Sequence, residues 1–343
     1  MPDTPTHESL ESIEEGLSKT RENLYHWLEA TPEEKQKLQL GSPDKATVEE
    51  HLHVINESLE KIENGTFGIC EICNEPVDEE LLKMDYTSCV CLGHFSEDEL
   101  RQLESELEMS QVVQRALLPQ QPPTIPGVNV AAFSRPAQIV SGDYFDFVPF
   151  KDGAHGFVMA DVSGHGVSAG MLMTSLQTAF HTLVPTADSP LDVLERINHL
   201  YMHNINFTTF VTIFFGKLDP RTRVFTYANA GHNSAYLLRG GSQEEMLLHP
   251  TGPAIGLMEG FNVRAEQVTL SPGDTLVLYT DGLTEASNHD GQQLGIDKLA
   301  EIIRENRDLS AEQIIQSILR AVNTFTDGTP LTDDASLVVC KVA

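Results

Sequence analysis

The sequence predicts an α+β protein: a C-terminal β-sandwich or mixed sheet flanked by helices, preceded by a helical hairpin and a small cysteine-rich unit. Three observations lead there. From Val128 onward, apolar runs bounded by Gly, Pro, Asn or Asp recur as strands, with two groups of helical stretches among them. Residues 1–64 are polar and Glu-rich with helical spacing. Four cysteines fall between positions 70 and 91, and Cys340 stands apart.

The first segment carries Leu10, Ile13 and Leu17, then Leu24 and Leu28, at helical steps. A second run, Val48, Leu52, Ile55, Leu59 and Ile62, has the same spacing, and Pro32, Gly41 and Pro43 break the chain between them. Two antiparallel helices over 1–64 follow from this pattern. Residues 65–95 form the cysteine unit. Over 96–121 a linker helix is expected, opened by a capping box of Ser96 and Glu99 and stopped by Pro119, Pro122, Pro123 and Pro126. Its Leu100, Leu103 and Leu107 share a face, which suits a coiled coil and a homodimer through this helix. In the last segment, 122–343, the strand runs are VNVAAFS, HGFVMADV, TTFVTIFFGKL, RVFTYANA, NVRAEQVTL, DTLVLYT and ASLVVCKV. Helices are expected over 165–183, 190–204, 295–306 and 310–325.

Length and charge set further bounds. At 343 residues the chain has room for two or three domains. A net charge of −29 disfavours binding to a nucleic-acid backbone and suits metal cations and basic partners. There is no apolar run long enough to cross a membrane and no secretory signal at the N-terminus. Clustered cysteines fit a metal site in a reducing compartment, so a cytoplasmic location is expected.

The most informative feature is where the acidic residues sit. Asp161 ends the strand FVMAD and Asp281 ends TLVLYTD; Asp333 and Asp334 precede ASLVV; Asp143 follows Gly142 in SGDYFDF. A carboxylate at the end of a buried strand is costly unless neutralised. One such Asp reads as a turn or cap residue, but four suit hard divalent ions, which take oxygen ligands. Two such ions about 4 Å apart can activate water and clamp a phosphoryl group. The set therefore makes sense as a dinuclear hydrolase site.

The blocks SGDYFDF, ADVSGHGVSAG, NFTTFVTIFFGKLD, YANAGHNSAYLLR, GPAIGL, GDTLVLYTDGLTEASN and LTDDASLVV resemble, in order, the bacterial metal-dependent phosphatases of the 2C type. The branch is the RsbU-like and sporulation stage II phosphatases that control alternative sigma factors. This resemblance implies a β-sandwich with flanking helices and a centre of two Mn²⁺ or Mg²⁺ ions. It implies that Asp161 bridges both metals, that Asp143 and the backbone carbonyl of Val162 bind one, and that Asp281 and Asp333 bind the other. Asp334 is the alternative to Asp333. A metal-bridging hydroxide would attack phosphoserine or phosphothreonine on a regulatory protein, an anti-sigma-factor antagonist. His165 is a candidate proton donor and reads equally as a helix N-terminal residue. Gly164 and Gly166 open a helix whose N–H groups could face a substrate anion. His232, in NAGHN, reads as a structural turn residue.

In the cysteine unit, Cys70-x2-Cys73 and Cys91-x2-His94 have the spacing of two ligand pairs closing a structural zinc site, with Cys89 as a competing ligand. The phrase GTFGICEICNEPV, after the helical hairpin, resembles the DksA/TraR-type zinc finger. That resemblance implies one structural Zn²⁺ and a contact with RNA polymerase. The alternative function is thus a zinc-finger transcription regulator carrying an inert phosphatase-like domain. The linker helix is expected to relay the state of the N-terminal unit to the enzyme.

Overall fold

The computed structural model describes residues 45–77, 89–164, 166–204, 210–242, 244–257 and 261–343, together with positions 13–14, 17–18, 21 and 82. The first helix of the expected hairpin, its connection and His165 lie largely or wholly outside these residues. The chain divides into two compact units, residues 1–108 with 202–208, and residues 109–201 with 209–343.

In the first unit, helix α1 (Lys45–Glu63) forms where the second apolar run was read. It buries Leu52, Ile55 and Leu59. The cysteine unit has its own small core of Phe67, Cys70, Val77 and Leu82. Helix α2 (Glu97–Leu117) starts at the expected capping box. The Glu99 carboxylate accepts from Ser96 N at 2.8 Å, and Ser96 Oγ accepts from Glu99 N at 3.3 Å.

The second unit is a four-layer sandwich. Its strands are β1 (Val128–Arg135), β2 (Asp143–Pro149), β3 (His155–Val162), β4 (Val211–Leu218), β5 (Val224–Ala230), β6 (Ala235–Leu238), β7 (Glu245–Leu248), β8 (Glu266–Thr269), β9 (Thr275–Tyr279) and β10 (Ala335–Val342). Its helices are α3 (Gly166–Leu183), α4 (Pro190–Asn204), α5 (Asp281–Thr284), α6 (Gly295–Glu305) and α7 (Ala311–Phe325). The strands make two sheets, ordered β1-β10-β9-β6-β7 and β2-β3-β4-β5-β8, with every neighbouring pair antiparallel.

Alternation along each strand builds the layers. Phe145, Phe157, Met159, Phe214 and Phe225 of one sheet meet Leu237, Leu276, Leu278, Val338 and Cys340 of the other in a shared core. On the outer face of the first sheet, Val277, Tyr279, Leu337 and Val339 pack against Leu299, Ile303, Ile314 and Ile318 of α6 and α7. On the outer face of the second, Phe180 of α3 packs on Tyr144 and Phe215, with ring centroids 5.9 and 5.0 Å apart. Strands covered on both faces read as continuous apolar runs, which is why FVMA and LVLY stand out in the sequence.

Three strands were not read as strands. β2 carries Asp143 and Asp146 within seven residues, and β6 and β7 are only four residues each. Among the described residues, no helix is long and apolar enough to cross a membrane.

The central strands leave little spare room. A Cβ on Gly216 would overlap the ring of Phe225, which is fully buried. Gly216→Ala is expected to destabilise the sandwich by about 2–3 kcal/mol, lowering the melting temperature by about 5–10 °C in a thermal unfolding scan.

Candidate active site and metal sites

The acidic residues converge at one end of the sandwich. In the β2–β3 ladder, Phe145 faces Met159 and, one pair further along the same face, Asp143 faces Asp161. Directly opposed residues share a face of a sheet. The two carboxylates therefore continue the inner apolar face past its last hydrophobic pair. In the other sheet, Asp281 follows β9 as the first residue of α5, and Asp333 precedes β10. Gly282 lets these ends close up, because a Cβ there would overlap the carbonyl of Asp334 and lie 3.1 Å from that of Asp333.

Two hydrogen-bonded clamps join the sheets here. Thr280 Oγ1 donates to Asp143 Oδ2 at 2.7 Å and accepts from Ser336 N at 2.9 Å. The Asp334 carboxylate accepts from Ala137 N and from Gly142 N, each at 2.7 Å. Both Asp334 oxygens are thus engaged in holding the loop that leads into Asp143. Asp333 is exposed, and its Oδ1 accepts from Asp334 N at 2.8 Å. The same loop is held from its other side by buried Gln114 of α2. Its amide donates to Ser141 O at 2.7 Å and accepts from Ser141 N at 2.9 Å.

Carboxylates crowd the site. Burial, then the neighbouring Asp161, push Asp143 well above the usual carboxylate range. Burial, then Asp281, Asp333 and Asp334, push Asp161 up to about 7. Asp281 is also raised, by burial and then by Glu285. The charges that act on these three are carboxylates. Oxygen donors crowded together in this way fit hard divalent cations. The Val162 carbonyl oxygen lies against Gly142, 3.0 Å from where a Cβ would stand. Gly164 and Gly166, which flank the undescribed His165, have φ of +93° and +74°. They sit at the start of α3.

Sequence reasoning missed Thr280, the clamping role of Asp334, and Gln114. Thr280 could have been suspected from its place beside Asp281. Nothing in the sequence linked Gln114 to a loop 27 residues away.

The cysteine unit holds a second set. The ligand atoms of Cys70, Cys73, Cys91 and His94 all lie within 4.8 Å of one another. Cys89 is not in this group. The Cys73 and Cys91 sulfurs are 3.7 Å apart, near the ~3.8 Å that two thiolates at tetrahedral zinc would show. A knuckle brings the first pair round: Cys70 N donates to Glu75 O, Asn74 N donates to Cys70 O, and Asn74 takes φ of +57°. Burial pushes the Cys70 thiol up, but the N–H groups of Cys91, Cys73 and Ile72 outweigh it and bring it down to about 6. A thiolate is therefore prepared for a cation.

The crowded carboxylates carry a stability consequence. An Asp raised in the folded state favours folding below its unfolded pKa, and that contribution is lost as pH rises through the folded value. For Asp161 the window runs from about 4 to about 7. Metal-depleted protein is expected to melt at a higher temperature at pH 5.5 than at pH 7.5. Asp161→Asn should flatten this dependence and raise the pH 7.5 melting temperature by about 3–6 °C, measured by calorimetry.

Comparison with known proteins agrees with the fold. The family model described as Stage II sporulation protein E (SpoIIE) matches residues 151–343. The chain is 29% identical over 241 residues to Phosphoserine phosphatase RsbU of Bacillus subtilis (strain 168), covering 70% of this chain and 71% of RsbU. The SiaA-PP2C domain of Pseudomonas aeruginosa superposes with a TM-score of 0.63 at 21% identity, covering 71% of this chain and 98% of that one. The RsbU and RsbW domains of Rv1364c from Mycobacterium tuberculosis give a TM-score of 0.53 at 27% identity, covering 64% and 61%. With more than half of its length matched by the family model, the chain belongs to the SpoIIE family.

Proposed function

We propose that the protein is a metal-dependent protein serine/threonine phosphatase that acts on a phosphorylated regulatory protein of the anti-sigma-factor-antagonist kind. The observation that carries this reading is the set of carboxylates Asp143, Asp161, Asp281 and Asp333 gathered at the sheet ends. The chain's similarity to a phosphoserine phosphatase supports it. An inert phosphatase-like domain would be expected to lack ligands, and all four are present.

Each residue has a definable task in this reading. Asp161, Asp143 and the Val162 carbonyl would hold one cation, and Asp161, Asp281 and Asp333 would hold the other. Two Mn²⁺ or Mg²⁺ ions held there supply Lewis-acid activation of water and neutralise phosphoryl charge. Thr280 fixes which oxygen of Asp143 is left for a ligand role, because its hydroxyl already occupies Oδ2. Asp334 and Gln114 fix the loop before Asp143, so the carboxylate arrives in one orientation. The Gly164–Gly166 turn offers backbone N–H groups to the substrate phosphate.

Residues 65–95 form a structural zinc finger in this scheme, 96–121 a linker helix that relays its state, and 122–343 the enzyme. A reducing cytoplasm suits the four thiols of the finger region.

Two outcomes are expected. Purified protein should release phosphate from a phosphoserine anti-sigma-factor antagonist in Mn²⁺, and Asp161→Asn should abolish release while leaving the fold intact by circular dichroism. No release from any phosphoserine protein in excess Mn²⁺ would sink the reading. Elemental analysis should find about one zinc per chain. Cys91→Ser should lose it, whereas Cys89→Ser should keep it.

A further inference from the structure

His232 is buried, at 3% exposure, and the carboxylate set does not include it. It lies in the turn after β5. The turn is built to hold it: Asn229 Oδ1 accepts from His232 N at 2.8 Å, and the Asn229 amide donates to Asn233 O and Leu248 O. Gly231, at φ of +69°, fits beneath it because a Cβ would press on the backbone of Ala254. His232 Nδ1 is 2.8 Å from Thr212 Oγ1. Thr212 stands directly opposite Asp161 in the β3–β4 ladder, and so shares its face, and its hydroxyl donates to the Asp161 carbonyl at 3.5 Å. Nε2 has no hydrogen-bond partner among the described residues.

We propose that His232 is a positioning residue: an imidazole that holds the Thr212 hydroxyl, and through it the strand end bearing Asp161, and so sets the place of the Asp161 carboxylate in the set. Burial keeps the ring uncharged, with its pKa lowered to about 4. A neutral ring adds no positive charge to compete with a cation nearby, whereas a Lys or Arg in the same place would. Ligand orientation by outer hydrogen-bond partners is worth about 10- to 100-fold in metal affinity. The inference rests on the carboxylate set being the metal site.

The test is calorimetric titration of Mn²⁺ into full-length protein, comparing wild type, His232→Ala, His232→Asn, Thr212→Val and the Ala/Val double variant, with Asp161→Asn as control. His232→Ala and Thr212→Val should each weaken Mn²⁺ binding about tenfold. The double variant should be no weaker than either single, because both break one link. His232→Asn, which retains a hydrogen-bonding partner for Thr212, should recover binding to within about threefold of wild type. If His232→Ala fails to fold, His232→Gln carries the comparison, because Thr212→Val also removes the hydroxyl's bond to the Asp161 carbonyl. Mn²⁺ affinity within about twofold of wild type in the His232 and Thr212 variants would overturn this proposal alone. So would additive losses in the double variant, or losses that Asn does not recover. Wild-type protein that binds no Mn²⁺, or binding unchanged in Asp161→Asn, would overturn the carboxylate site and this proposal with it.

Discussion

Mutual repulsion among half-buried carboxylates is the constraint around which the rest of the sandwich is arranged. Asp143, Asp161 and Asp281 are each held above their ordinary range by burial and by one another or Glu285. A fold left to optimise its own stability would replace them or pair them with Lys or Arg. Instead, backbone and hydroxyl groups hold them in place. Thr280 binds Asp143, the amides of Ala137 and Gly142 bind Asp334, and Gly282 allows the second pair of strand ends to approach. These contacts fix geometry without cancelling charge. That combination leaves the negative potential available to a cation.

The apolar layers make this arrangement rigid. The shared core of phenylalanines and aliphatic residues fixes the register of β2 against β3 and of β9 against β10. A slip of one residue would turn Asp143 or Asp161 to the opposite face. Packing so close that Gly216 cannot accept a methyl group makes such slips costly. Stability in the middle of the sandwich thus supports strain at its end, a division often found where a site must hold like charges together.

The cysteine unit solves a different problem with similar means. Its core is four buried residues, too few to hold a loop of this length by burial alone. Three thiols and an imidazole brought within 4.8 Å supply a second cohesive element if they share a cation. Backbone N–H groups aimed at Cys70 favour the thiolate form such a cation requires.

The sequence alone determined the layering and the chemistry. Alternating and continuous apolar runs marked seven strands and four helices of the second unit. The capping box at Ser96 and Glu99 marked a helix start, and the Cys-x2-Cys and Cys-x2-His pairs marked a closed ligand set. Those features are local, and local spacing carries them. The aspartates were visible too, because a charge that ends an apolar strand is conspicuous. Strand β2 was not visible, because its acidic residues break the apolar pattern, and β6 and β7 are too short to set one. Only the tertiary structure decided which end of the sandwich each aspartate occupies. It gave the oxygens of Asp334 to Ala137 and Gly142. It also joined Thr280 to Asp143, and Thr212 to His232, across 137 and 20 residues. These are contacts between sheets or between strand and turn. No periodicity records them, since they depend on how two sheets stack and not on how either strand is spelled.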